Sequence, residues 1–435
     1  MERAKILQFR SLILKNDECT FLYLIDGAEY LVSLGYSTQS SLNPDDQEVV
    51  FFNLGLCYLI DFACILNPEV VLIDFPMTEL QVDFWKNAYK ELSKEKIYQQ
   101  RKDITLLDSI WEAGKSPSRP PFYLPENRNQ VALCLTGGKE SLTLFNILRN
   151  HIDLILFIHD PQKNKFRQKV FNYVKNEHLT VRNHSTIDTA FLELRAVYGC
   201  MLSPISRALQ LVFSTLLFGG TCKYMLVGNE YSSNFPNTVY QGYLINHQYC
   251  KTIEFAQKIN KYLHQFVTPD YNYFSPFFGF YEYKIASYFF RNNGYLDLWT
   301  SCNRFESYSI DQCRSFCSRC HKCAFTYLLS LAYVEDIFLS KYFSHNMLEN
   351  LELYKSIIDF LAEKPLECIG EKKESWVILA KLMNHPEHKN SRTVQYFEKN
   401  IYPIIKERLS EFEREINSVQ TTPQILPEEI EKALL

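Results

Sequence analysis

VALCLTGGKES, Val131 to Ser141, decides how this chain is read. Its first five residues are all apolar, a run short enough for a strand and apolar enough to be buried on both faces, as parallel-sheet strands are. Gly137 and Gly138 then turn the chain, and Leu144, Phe145 and Leu148 recur at helical spacing. In a doubly wound sheet, ligands bind beyond the carboxyl ends of the strands. Paired glycines let backbone N–H groups face a ligand closely, and the start of a helix adds free N–H groups and a positive dipole end. An anion such as pyrophosphate fits there. Thr136 and Ser141 supply hydroxyls, Lys139 a positive charge, and Glu140 a carboxylate able to hold magnesium. The spacing matches neither GxxxxGK[ST] nor GxGxxG, and a bare TGG turn would be only a tight connection.

The same alternation continues downstream. LILFI (Leu154–Ile158), a helix over about 164–175, a helix over about 206–217 and the buried run KYMLVG predict an α/β fold with a doubly wound parallel sheet. Upstream, strand-like stretches (5–14, 20–24, 29–34), a helix over about 46–66, the run EVVLID and a helix over about 79–95 read as a small α+β domain. KSPSRPPFYLPENRNQ, with four prolines in sixteen residues, marks a boundary. The expected division is an N-terminal α+β domain over 1–120, a nucleotide-binding domain over 121–330, and a helical region over 331–435 whose tail PEEIEKALL is exposed.

Composition narrows the class. An aromatic content of 15% excludes a polar disordered chain. A net charge of −4 provides no electrostatic reason for nucleic acid or an anionic membrane as the main partner. The N-terminus does not read as a signal peptide, and the apolar runs Leu54–Leu66 and Leu211–Phe218 are too short to span a bilayer, so buried helices are expected. Thirteen cysteines, an odd total, argue for a reducing compartment, the cytoplasm, and against a disulfide framework.

Five of those cysteines lie between Cys302 and Cys323. Cys317, Cys320 and Cys323 form C-x2-C-x2-C in polar surroundings, and a fourth thiolate would complete a closed tetrahedron suited to structural zinc. An iron–sulfur cluster also takes four thiolates. Spacing leaves Cys302 and Cys313 both open as the fourth ligand.

TGGKES resembles the SGGxDS signature of the PP-loop ATP pyrophosphatases, which cleave ATP to AMP and pyrophosphate while adenylating a substrate. Thr136 and Glu140 depart from that pattern by keeping the hydroxyl and lengthening the acidic arm. The cysteine run is similar to the zinc knuckle of the cyano-deazaguanine synthases, a resemblance that favours Cys302. Taken with NEYSSN (Asn229–Asn234) and NHQY (Asn246–Tyr249), the set resembles the UDP-N-acetylmuramoyl-L-alanyl-L-glutamate epimerases over about 120–332. That resemblance implies a PP-loop (HUP-like) fold, and ATP, Mg2+ and structural Zn2+. It implies a nucleotide-sugar peptide as substrate and epimerisation of its terminal glutamate through a carboxyl adenylate. Adenylation removes the carboxylate charge beside which an α-carbanion would otherwise form.

An epimerase needs a base on one face and an acid on the other. His247, with an unperturbed pKa near neutrality, is the first candidate, and Glu230, directly after the buried strand, the second. Asn229 joins the nucleotide set. Glu254, Glu282 and Cys250 are weaker proton-transfer options, and Arg207, Lys251 and Lys284 are possible phosphate or carboxylate clamps. A different PP-loop adenylating enzyme, cyano-deazaguanine-synthase-like or tRNA-modifying, is the competing reading, and a binding protein that has lost catalysis the third.

Overall fold

The computed structural model describes residues 4–15, 18–36, 40–115, 119–125, 130–159, 165–176, 180–187, 204–218, 222–291, 293–302, 315–423 and 426–434. Twelve strands occur among them: β1 (Ile6–Lys15), β2 (Glu18–Ile25), β3 (Ala28–Tyr36), β4 (Val70–Pro76), β5 (Ile110–Gly114), β6 (Gln130–Cys134), β7 (Leu154–His159), β8 (Thr180–Ile187), β9 (Cys222–Leu226), β10 (Thr238–Tyr240), β11 (Tyr243–Ile245) and β12 (Asn272–Phe274). Ten of them form one sheet in the order β12-β9-β6-β7-β8-β3-β2-β1-β4-β5.

The five strands from β12 to β8 pair in parallel. Renumbered from β6, their order is 5-4-1-2-3, the doubly wound arrangement in which the chain leaves strand 1 towards one side and later returns on the other. The crevice between the carboxyl ends of β6 and β9 is the switch point. The N-terminal strands are continuous with this sheet: β3 pairs antiparallel with β8, Ser33 opposite Ile187 and Gly35 opposite Ser185. The meander β1-β2-β3 and the parallel pairs β1·β4 and β4·β5 complete it.

The helices that position the site are α1 (Pro44–Leu66), α2 (Glu79–Gln99), α3 (Lys139–Leu148), α4 (Lys165–Asn176), α5 (Pro204–Phe218), α6 (Ile253–Phe266), α7 (Glu282–Arg291) and α8 (His321–Leu331). Helix α1 starts on an Asn43 cap that accepts from the Asp46 N–H, with Pro44 in the first turn, and stops at Asn67 in the left-handed conformation (φ 46°). By length and composition α1 could cross a membrane, but 89% of its most apolar stretch is buried inside the protein. It is apolar all round because it packs on β1 on one side and on α5 and α2 on the others. Its Asp61 is buried and accepts from Ser206 Oγ at 2.5 Å. A second buried polar chain ties three helices: Trp85 Nε1 of α2 donates to the Tyr262 hydroxyl of α6 at 2.9 Å, which donates to Asn53 Oδ1 of α1 at 2.7 Å.

Beyond α8 the described chain is helical, with helices over Leu351–Ile358, Lys372–Leu382, Arg392–Asn400 and Leu409–Asn417. The tail departs from the expectation of exposure. Glu428–Leu434 is a helix that buries Ile430 completely and packs on α3. The apolar Ile430, Ala433 and Leu434 share one helical face, and burying that face outweighs solvating the acidic one.

Where α1 crosses β1, Gly55 allows the backbone of the helix to meet the ring of Phe9, which itself lies against Tyr23, Phe52 and Phe75. An added Cβ would stand 2.3 Å from Phe9 Cζ. Gly55→Val is therefore expected to destabilise the protein by about 1–3 kcal/mol, read as a lower urea midpoint. An unchanged midpoint would show that the aromatic cluster yields.

Candidate active site

The glycine loop leaves the end of β6. Gly137 adopts φ +84°, and a side chain there would meet the Leu298 carbonyl and Val170 Cγ2, each at 3.2 Å. Its carbonyl accepts from the Thr300 N–H at 3.0 Å, so the segment leading to Cys302 is fastened to the loop. Gly138 caps α3 without a side-chain bond, which leaves the amino end of that helix facing the crevice. The carboxylate of Glu140 meets its own backbone N–H there. Gly228, two residues beyond β9, closes the crevice from the other side: a Cβ on it would stand 2.5 Å from Glu140 Cβ. The segment after β9 and the first turn of α3 thus meet at backbone level, a closeness that glycine permits.

Around this contact lie two lysines and three glutamates: Lys139, Glu230 and Glu282 are buried, Glu140 and Lys251 partly so. Lys139 is almost fully buried and ion-paired to Glu140 and, at 2.7 Å, to Glu282 Oε2 at the start of α7. Burial alone would depress its pKa, but Glu140 and Glu282 outweigh that and hold it above the usual lysine value. Glu230 is fully buried, with Lys251 Nζ at 3.3 and 3.5 Å from its two oxygens. Burial likewise opposes the charge on Lys251, and Glu230, Cys368, Glu140 and Glu282 more than restore it. For Glu140, burial pushes the carboxyl up, but Lys139 and Lys251 bring it below its ordinary value. Glu282 goes the other way: burial raises it, Lys139 only partly compensates, and Glu230 and Glu140 raise it further. Glu282 is thus the carboxyl of this group whose pKa is raised. Behind it, buried Glu374 accepts from the Tyr283 N–H at 2.9 Å and the Glu371 N–H at 2.7 Å, and burial and Glu282 push it up to about 8. Burying so many charges costs stability, which makes this a functional-site candidate.

The remaining sequence candidates divide. Asn229 lies in the crevice wall, its amide donating to the Tyr273 hydroxyl at 2.9 Å. NEYSSN and NHQY are knitted together, with Asn246 Nδ2 donating to the Ser233 carbonyl at 2.9 Å. His247 is not a free imidazole of ordinary pKa. Burial lowers its pKa, but hydrogen bonds to Cys368 and to Glu95 (Nδ1 to Oε2, 2.9 Å) raise it to about 10, so it rests as the cation. Cys250 is buried, and burial pushes its thiol up to about 12. Glu254 pairs with Lys258 at 2.6 Å, Arg207 with Gln210 at 2.7 Å, and Lys284 with the Asn417 carbonyl at 2.8 Å. Sequence reading missed Glu95, Cys368 and Glu374. For Cys368 a signal existed: it sits in the polar segment PLECIGEKKE, whereas most other isolated cysteines lie in apolar runs.

Cys302, Cys317, Cys320 and Cys323 bring their sulfurs within 4.8 Å of one another. Cys317 Sγ is 3.7 Å from Cys320 Sγ and 3.6 Å from Cys323 Sγ. Four sulfurs at about 2.3 Å from a tetrahedral zinc would stand about 3.8 Å apart, so the donor set fits that ion. Cys313 lies outside the described residues. Cys320 also caps α8, accepting from the Cys323 N–H.

Residues 12–276 match the family model described as the MurL N-terminal domain, and residues 298–411 the one described as the MurL C-terminal domain. The chain belongs to the MurL family. Curated relatives of this family carry the name UDP-N-acetyl-alpha-D-muramoyl-L-alanyl-L-glutamate epimerase. A protein of Salinispora tropica is 31% identical over 273 residues, 60% of this chain and 58% of the relative. One of Micromonospora sp. is 28% identical over 296 residues, 67% of this chain and 57% of the relative. One of Xanthomonas oryzae pv. oryzae is 28% identical over 197 residues, 44% and 43% of the two chains. The chain thus spans about half the length of the curated relatives it matches.

Two outcomes follow for the site. Gly228→Ala is expected to weaken ATP binding by about tenfold or more, since the added methyl would have to displace the backbone of Glu140; calorimetric titration with ATP and magnesium reads it, and unchanged affinity would remove the crevice as the nucleotide site. The purified protein is expected to hold about one zinc per chain, and Cys320→Ser to lower both metal content and Tm, because a closed thiolate site contributes folding energy. Metal analysis and thermal unfolding check this.

Proposed function

We propose that the chain is an ATP-dependent epimerase that converts the terminal L-Glu of UDP-MurNAc-L-Ala-L-Glu to D-Glu through a carboxyl adenylate. It would act in peptidoglycan precursor synthesis and release AMP and pyrophosphate. Family membership and the epimerase names of the relatives support the reaction class. The observation that carries the nucleotide part is the switch-point crevice, where the glycine loop, an uncapped helix start and two charged lysines converge.

In this reading the fold is of the PP-loop type, and Thr136, Gly137, Gly138, Lys139, Ser141 and Asn229 bind ATP. Glu140 would hold magnesium, which would supply charge neutralisation at the phosphates. Zinc on the four cysteines is structural. The substrate carboxylate attacks the α-phosphorus, a new carboxyl–phosphorus bond forms, and pyrophosphate leaves. Lys139 and Lys251 stabilise the negative charge that builds up there. With the carboxylate charge removed, an α-proton leaves one face and another returns on the opposite face. Water then cleaves the anhydride to AMP and the epimerised peptide. His247, protonated at rest, acts on the proton-transfer side with Glu230 and Lys251. A cytoplasmic enzyme working on a nucleotide-sugar peptide, without nucleic acid or membrane partners, fits this reading.

Incubation with ATP, magnesium and UDP-MurNAc-L-Ala-L-Glu in deuterated water is expected to give AMP together with deuterium at the glutamate α-carbon. Lys139→Ala is expected to lower AMP release by about 100-fold or more, in the range that loss of an electrostatic stabiliser causes. AMP release only with other acceptors would assign a different adenylating enzyme, and no ATP cleavage with any acceptor a binding protein.

A further inference from the structure

Cys368 differs from the other cysteines. Among the described residues outside the four-sulfur cluster, Cys19, Cys57, Cys64, Cys134, Cys222 and Cys250 are buried, and Cys368 alone is partly exposed. The segment that carries it is held on three sides. Asn237 Nδ2 donates to the Pro365 carbonyl at 2.5 Å, and Gln248 Nε2 to the Ile369 carbonyl at 3.0 Å, which fixes it to the NHQY segment. Glu367 accepts from the Lys322 N–H at 2.8 Å at the start of α8. Just beyond, Glu371 N–H donates to Glu374. This brings Cys368 beside His247, close enough for thiol and ring to set each other's ionisation. The ring of His247 is oriented from behind by Glu95, and its backbone N–H by Asn237 Oδ1 at 2.8 Å. Thiol, imidazole and carboxylate stand in the relation of an activated sulfur, its partner and the group that orients the partner.

The groups facing the thiol favour its anion. Burial disfavours it, but Lys251, Lys322 and His247 outweigh burial and bring its pKa down to about 6, with Cys250 and, through Lys251, Glu230 alongside. A thiolate beside an imidazolium combines basicity near neutral pH with access from the exterior. His247, already protonated, cannot take a proton so readily.

We propose that Cys368, held beside His247, is the residue that removes the substrate's α-proton. This rests on the epimerase reading. The thiolate takes the proton and becomes a thiol, and the C–H bonding pair moves onto the activated carbonyl oxygen. An acid on the opposite face then protonates Cα, and the pair returns from the oxygen. His247 and Glu95 are positioning residues that keep the sulfur ionised.

Cys368→Ser is expected to lower α-deuterium incorporation by at least about 100-fold more than it lowers ATP–pyrophosphate exchange, the range for loss of a general base. Equal loss of both would make Cys368 structural, and retained deuterium incorporation would exclude it. Substrate mass trapped covalently on Cys368 would overturn the proposal in favour of a nucleophile. A separate measurement stands apart from the reaction assigned: iodoacetamide alkylation of Cys368 in the zinc-loaded full chain, followed by peptide mass mapping. Its midpoint is expected near pH 6 and is expected to rise in His247→Gln and Glu95→Gln; a midpoint above about 8 in the unsubstituted protein would remove the thiolate. If that midpoint is found but neither AMP nor deuterium forms, the epimerase reading fails while the ionised thiol stands.

Discussion

The buried ammonium of Lys139 governs the geometry of the carboxyl edge of the sheet. A lysine shut away from water stays charged only if carboxylates surround it, and here Glu140 and Glu282 do so. Glu140 is its neighbour in the chain, so the helix start must turn its first residues inward. Glu282 must come from α7, which fixes that helix against α3. With Glu140 drawn in, the end of β9 passes so close that position 228 can hold only glycine. One charge requirement thus joins the glycine loop, two helices and two strand ends.

A second pair, Lys251 with Glu230, repeats the arrangement, and the pairs share a field. Lys251 lowers the pKa of Glu140, while Glu230 raises that of Glu282. The result is a group of like residues with unlike pKa: Glu140 held below its ordinary value, Glu282 above it. Unequal environments for similar groups are how a single site separates acid from base.

The four-cysteine cluster stands outside this chemistry yet steadies it from two directions. The segment before Cys302 donates to the Gly137 carbonyl, and the start of α8, capped by Cys320, binds Glu367 next to Cys368. A closed four-sulfur centre is suited to that work, since it offers rigidity without an open coordination position.

Features encoded within a few residues were legible from the sequence by itself. The strand, glycine turn and helix of Val131–Leu148 follow from an apolar run, two glycines and helical spacing, and C-x2-C-x2-C brings three sulfurs together over one turn. Those signals are local, and so are the forces that read them. Tertiary structure alone decided the rest. The N-terminal strands continue the same sheet because β3 meets β8 some 150 residues later. Lys139 finds Glu282 at a separation of 143 residues, and Cys368 finds His247 across 121. Whether a titratable side chain is a solvated charge, a buried ion pair or a reactive thiolate depends on the charges and the water it faces. Those come from distant parts of the chain, and no short-range pattern carries them.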